Sequence, residues 1–517
     1  MGPFVAALAY TWISHGLAFV LMPWSIPLSQ RIRAIVLWAF AAILLFFLQD
    51  FLLLLVLVAI AMALLSPIDP VQRVSYFLIA VPCVPAYLTA QLPFPGLNYL
   101  LELTQYKTAS IVLLLPLYVV GRYGALRLEA LSLLGACMLF YAVYTAMIVG
   151  ISVNATMGMR HLLEMLLTLA LPYYVIRYAV WRLDHIETIF KYFLVASIVL
   201  ASIVLVSSLK QWDFYELAKP LAFYAAPDTR AGFVRIHATA NPHSLAFHFA
   251  AALILLEFLK KPMKISWLYL MGLRMIFLVS AYFTNSHGGL LGMLVGVAMY
   301  RFFLIRSALL RTTLLGFAIS WAIVGGLWLL YGSTDSFDKY GTFNYRQEVF
   351  RIGFGYVLQV PLFGDYDFYK NPVFEPLRQG LGIIDITNLY LQILLHFGFL
   401  GALPFFVVMA APIIALLRMS YSLSADQEGQ RSRLEEDEAV QRWRSMAAVI
   451  FGILWGWLAL VATTSDVALT VHIGIVFAAL GRGLADLGMA AAKGKSESKA
   501  VVHQQLAMNR RRVLRGS

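Results

Sequence analysis

Two cysteines in 517 residues leave no material for a disulfide framework or a cysteine-based metal knot. Cys83 and Cys137 each lie alone in an apolar stretch, where a small buried hydrophobe is the expectation. Charge is also scarce: Asp, Glu, Lys and Arg make up 13% of the chain, against about 25% in soluble domains. With 61% hydrophobic residues and a mean hydropathy of +0.78, the chain has too little polar surface to fold as water-soluble globular units. Sustained alternation of polar and apolar residues is missing as well. Runs such as 51–65 are apolar on every face, which excludes a membrane β-barrel. No internal repeat is evident, and no interval between apolar segments would hold a soluble domain of about 100 residues. The first 22 residues lack the basic start and small-residue cleavage site of a signal peptide and are expected to form a first span.

What is present is one apolar segment after another, near 4–22, 34–49, 51–66, 76–93, 108–121, 131–152, 162–180, 190–208, 243–259, 266–283, 287–304, 312–331, 388–417, 445–463 and 467–483. A spanning helix takes roughly 17 to 25 apolar residues, so segments that are short, or joined by one polar residue such as Asp50, count as half-spans or bent spans. The expected fold is an all-α integral membrane protein of about 12–15 transmembrane helices. One polytopic domain occupies 1–485, and 486–517 forms a basic tail.

The net charge of +12 matters through its placement. Lys260, Lys261 and Lys264 form one acid-free block, and Arg301, Arg306 and Arg311 another. The positive-inside rule makes both cytoplasmic. Alternation then brings Arg31 and Arg33, Arg73, Arg122 and Arg127, Arg177 and Arg182, and the 431–444 loop to the same side. It leaves 209–242 and 332–387 outside as a small periplasmic cap, the longer loop carrying five basic and seven acidic residues. The tail, with seven Lys and Arg between 491 and 517, suits disordered chain touching anionic lipid on the cytoplasmic side rather than nucleic acid.

The first outer loop brings Arg230, Arg235, His237 and His243 to a membrane mouth. Guanidinium grips phosphate with two parallel hydrogen bonds, so these residues suit a lipid diphosphate; anchoring to lipid headgroups is the alternative. Asn285-Ser286-His287-Gly288-Gly289, also outside, allows close helix packing or a backbone turn. Arg274 lies within a span and either snorkels inward or pairs internally. In the second loop Arg346 is a further anion-binding candidate, with a salt bridge to Glu348, Asp338 or another loop acid as the alternative. Asp365 and Asp367 suit a turn as readily as a divalent cation.

Arg346 stands 15 residues before Pro361-Leu362-Phe363-Gly364, and the loop re-enters an apolar segment as Asp385-Ile386-Thr387-Asn388, nine residues, then Gly398-Phe399-Leu400-Gly401. This arrangement resembles the O-antigen ligase and polymerase family, in which an arginine precedes a Pro-Leu-x-Gly turn and a His-Asn pair precedes G-x-x-G. The likeness extends over about 190–485 and takes in Arg235, a few residues before Asn241-Pro242, and the Ser286-His287-Gly288 junction.

The resemblance implies a multi-pass glycosyltransferase of the bacterial inner membrane that moves saccharide from a polyprenyl (undecaprenyl) diphosphate carrier to a saccharide or lipid acceptor hydroxyl on the periplasmic face. Such an enzyme works in O-antigen or exopolysaccharide assembly, as ligase or polymerase and alongside other assembly proteins, with no metal and no cofactor. In these terms Arg235 and Arg346 hold the diphosphate, with Arg230, His243 and Asn388 beside them. The family's histidine is Thr387 here, whose hydroxyl does not ionise near neutral pH. Deprotonation of the acceptor then falls to Asp385, or to His237 or His243 from the other loop. A polysaccharide or lipid transporter without catalysis is the rival, and would be expected to show two similar halves with broken helices.

Overall fold

Backbone groups in hydrocarbon have only one another to bond, and the apolar runs fold as helices in the computed structural model. The described residues are 2–119, 133–218, 229–230, 232–305, 307, 310–314, 316, 320, 342–379, 382–429, 434–464 and 470–489. In chain order come α1 (Pro3–Leu21), α2 (Leu28–Phe47), α3 (Phe51–Leu65), α4 (Pro70–Ala80), the hairpin β1 (Ala90–Phe94) and β2 (Leu97–Leu103), and α5 (105–119), which passes through a π-helical turn at Ser110–Leu114. There follow α6 (Leu133–Ser152), α7 (Ala155–Ala179), α8 (Leu183–Lys210), the short pair β3 (Thr229–Arg230) and β4 (Phe233–Val234), α9 (Pro242–Leu259), α10 (Trp267–Phe283) and α11 (His287–Leu304). The chain closes with α12 (Thr342–Val357), α13 (Leu389–Gly429), α14 (Leu434–Val461) and α15 (Thr470–Met489).

Ten helices among the described residues are long and apolar enough to cross a membrane, and α3 and α10 are shorter apolar ones. The segment at 76–93 is a correction to the expected spans. Its helix stops at Ala80, a single 3-10 turn follows, and Val84 is extended because Pro85 disfavours helical backbone before it. The chain then enters the β1–β2 hairpin, so helix is not the only element. Most of the 312–331 segment (315, 317–319 and 321–331), the 431–433 stretch, Asp338 and the basic tail from 490 lie outside the described residues.

α8 is the central post, with 89% of its apolar window buried against 28% for α1 at the rim. Close helix contact rests on small residues, as expected where lipid is as apolar as leucine. A Cβ on Gly292 of α11 would stand 2.8 Å from the Gly456 carbonyl of α14, and one on Gly452 would stand 2.7 Å from that of Gly296. The Ser286–Gly289 junction thus opens a packing face. Cys83 is buried and touched by the Gln105 amide, while Cys137 is half-buried.

At the end of the bundle opposite the two long loops, ion pairs join neighbouring helices. Arg177 meets Asp486 at 2.6 Å, and Arg442 reaches Asp184 and Glu187 at 2.7 and 2.6 Å. Arg274 pairs internally with Glu257, which also holds Lys260 at 3.0 Å, so its guanidinium is neutralised inside the bundle.

Candidate functional site

Both long loops lie at the same end of the bundle, where three helices start side by side. Each start is closed by a short polar side chain that accepts a free backbone N–H. Asn241 Oδ1 accepts from Ser244 N–H at 2.7 Å for α9, Ser286 Oγ from Gly289 N–H at 3.1 Å for α11, and Asn388 Oδ1 from Leu391 N–H at 3.1 Å for α13. All three abut the stretch from the end of α14 to the start of α15. Leu389 N–H donates to Thr464 O at 3.0 Å and Asn388 Nδ2 to Ala462 O at 3.0 Å. Ser244 Oγ lies 2.6 Å from Thr470 Oγ1, and a Cβ on Gly288 would stand 2.6 Å from Thr463 Oγ1. Three positive helix ends on one patch favour an anion.

Arg235 stands at this patch. Its Nε donates to Thr284 O at 3.2 Å, and Nη2 is 3.3 Å from His243 Nε2, whose Nδ1 is 2.7 Å from Ser286 Oγ. The turn that presents it is fixed by Asp213, whose Oδ2 accepts from His237 N–H at 2.5 Å and Ala238 N–H at 3.1 Å. Burial pushes the Asp213 carboxyl up to about 6, against the opposing pull of His237 and of the two amides. The His237 ring itself is half-buried. Arg230 lies in β3, and its side chain is outside the described residues.

The second loop is stitched to α13 through backbone. Gly398 breaks α13 at φ +59°, and Gly364 closes the Pro361–Gly364 turn at φ +69°. Phe399 N–H donates to Pro361 O at 2.8 Å, Leu400 N–H to Leu362 O at 3.1 Å, and Asp365 N–H to Leu395 O at 2.6 Å. A Cβ on Gly364 would stand 2.5 Å from Gly398 N, so the two glycines are required by contact as well as by φ. The G-x-x-G motif and the Pro-Leu-x-Gly turn are therefore two sides of one joint.

Arg346 is half-buried on α12, beside Tyr345, whose hydroxyl donates to Asp385 O at 3.1 Å and accepts from Asp385 N–H at 3.1 Å. Glu348, the alternative partner for Arg346, bonds Arg351 instead, which holds its carboxyl below the usual range. Asp385 is exposed, Thr387 is half-buried and Asn388 caps α13. Asp365 and Asp367 serve the turn: Asp365 accepts from Tyr356 OH at 2.6 Å and Asp367 N–H at 3.0 Å, and Asp367 from Lys370 Nζ at 2.7 Å.

Two cavities flank the first segment of α13. An outer cleft of about 430 Å³ is lined by Tyr369, Arg378, Asp385, Gln392 and His396 among others. An inner chamber of about 300 Å³ carries Lys107, His161, Glu164, Gln392, His396 and His472. In its wall Lys107, almost fully buried, pairs with Glu164 at 2.7 Å and donates to Glu102 O at 3.0 Å. Aromatic faces from Tyr141, Phe397 and Phe405 complete it. Polar hydrogen-bonding groups set among aromatics in a volume of this order suit a small polar organic group such as a sugar ring. The sequence reading missed the chamber residues, which come from α5, α6, α7, α13 and α15 and are distant in sequence. His396 alone carried a signal, lying between Asn388 and Gly398 of the motif.

Residues 272–406 match the family model described as O-antigen ligase. No curated protein matches the chain. The match takes in Arg346, the Pro361–Gly364 turn, Asn388 and Gly398, and supports a membrane enzyme of surface-polysaccharide assembly.

Proposed function

Proceeding from that O-antigen ligase segment, we propose that the protein is a glycosyltransferase that moves saccharide from a polyprenyl-diphosphate carrier to an acceptor hydroxyl at the outer face of a bacterial inner membrane. The observation that carries the proposal is the meeting of three helix N-termini beside the Arg235–His243–Ser286 chain, a place built for an anion. Arg235 holds the diphosphate from the first loop and Arg346 from the second, with His243 and Asn388 positioned by the same contacts and Arg230 at the mouth. As the acceptor oxygen bonds the anomeric carbon, the carbon–phosphate-oxygen bond breaks and its electron pair leaves with the diphosphate, whose charge the arginines offset. Asp385 at the cleft rim accepts hydrogen bonds from acceptor hydroxyls. The chemistry needs no metal or cofactor. In this orientation the tail that follows α15 is cytoplasmic.

The test is transfer by the purified protein in lipid nanodiscs supplied with the lipid-linked saccharide fraction from membranes of the producing cells. Saccharide should leave its carrier and appear on an acceptor. Movement of intact lipid-linked saccharide across vesicles without transfer would point to the transporter instead.

A further inference from the structure

Gln392 and His396, one helical turn apart on α13, form the wall shared by the outer cleft and the inner chamber. We infer that His396 takes the proton from the acceptor hydroxyl, an inference that rests on the transferase reading. Its Nδ1 lies 3.1 Å from the Tyr366 carbonyl oxygen. A carbonyl only accepts, so Nδ1 carries the hydrogen, and in the neutral ring Nε2 keeps its lone pair. Among the described residues Nε2 has no hydrogen-bond partner. The ring is held by Tyr366, Phe368 and Phe397, with centroids 5.1, 5.0 and 5.7 Å away, and Tyr366 follows the turn locked to the break at Gly398. Orientation of a base by a second group, with its free nitrogen toward a cavity, is the arrangement that general-base chemistry requires.

The groups offered by the sequence fit less well. Thr387 does not ionise, His237 belongs to the turn fastened to Asp213, His243 is engaged at both ring nitrogens by Arg235 and Ser286, and Asp385 edges only the outer cleft. A carboxylate is also a weaker base than imidazole near neutral pH. In the step, Nε2 of His396 accepts the acceptor proton while the acceptor oxygen bonds the anomeric carbon and the diphosphate departs. The ring then passes a proton to water in the cleft. Asp365, Asp367 and Tyr366 from the outer turn and His161 from α7 face the ring, with Lys107 and Glu164 across the chamber.

The test is single-turnover transfer by the full chain in nanodiscs, using the same extracted saccharide fraction, at a series of pH values. His396→Asn keeps an amide donor for Tyr366 O but removes Nε2. It should slow transfer about 10²- to 10⁴-fold, and abolish the wild-type rise in rate between about pH 5 and 8. Thermal stabilisation by farnesyl diphosphate, the probe for the anion site, should be unchanged. A His396→Asn protein that keeps the wild-type rate overturns the assignment. So does slow transfer that keeps the acid limb while losing the farnesyl diphosphate effect, which marks a structural role. A wild-type protein that leaves saccharide on its carrier overturns the transferase reading and this assignment with it.

Discussion

The guanidinium of Arg235 is oriented before any ligand arrives, by the Thr284 carbonyl on one side and His243 on the other. Lysine would keep the charge and lose the fork, so Arg235→Lys and Arg346→Lys should each lower transfer about tenfold or more, the worth of a charge-assisted hydrogen bond. Wild-type rates in both variants would show that a diffuse positive field suffices. Asp213 offers a second check at this scale. Its carboxyl is raised to about 6 in the folded protein, so the stabilising contribution is complete below the unfolded value near 4 and is lost as pH rises through 6. The melting temperature of wild type should fall relative to Asp213→Asn across that window, and parallel profiles would refute the shift. Among single residues, the grouping of Arg235 with His243 at one mouth was legible, because the two are near in sequence. His396 was not. A lone histidine in an apolar helix gives no periodic signal, and its meaning comes from a carbonyl 30 residues earlier.

For the elements, Gly398 is the informative position. An alanine there meets a left-handed backbone and the facing Pro361–Gly364 turn, so Gly398→Ala should destabilise by about 2 kcal/mol or more. Gly272 of α10 has open space around its Cβ direction, and Gly272→Ala should be neutral or stabilising by up to about 1 kcal/mol. Thermal unfolding of the two variants in one detergent checks the contrast, and equal melting points would refute it. The apolar segments beginning near 243 and 287 placed the starts of α9 and α11 to within a residue. The stretch at 76–93 was misread because hydropathy counts Pro82 and Pro85 among apolar neighbours without registering what a missing N–H and a restricted preceding residue do to a helix.

At the scale of the molecule, composition dictated a helical membrane protein, and charge placement predicts its orientation. An impermeant thiol reagent added outside should modify Glu375→Cys, on the exposed second loop, and spare Lys261→Cys at the other end of α9. The reverse pattern would overturn the orientation and the substrate assignment. The meeting of three helix starts beside α14 and α15 was beyond the sequence, since it depends on which helices become neighbours across more than 200 residues. The backbone joint between Pro361–Gly364 and Gly398 also bears on how the protein can be recombined with relatives. A transplanted loop ending at Thr387 would leave behind the strip of α13 that receives its turn, and the donor's turn would meet a foreign groove. The portable unit is 342–400, loop and helix break together, and chimeras that seek to exchange acceptor preference should be cut at its ends.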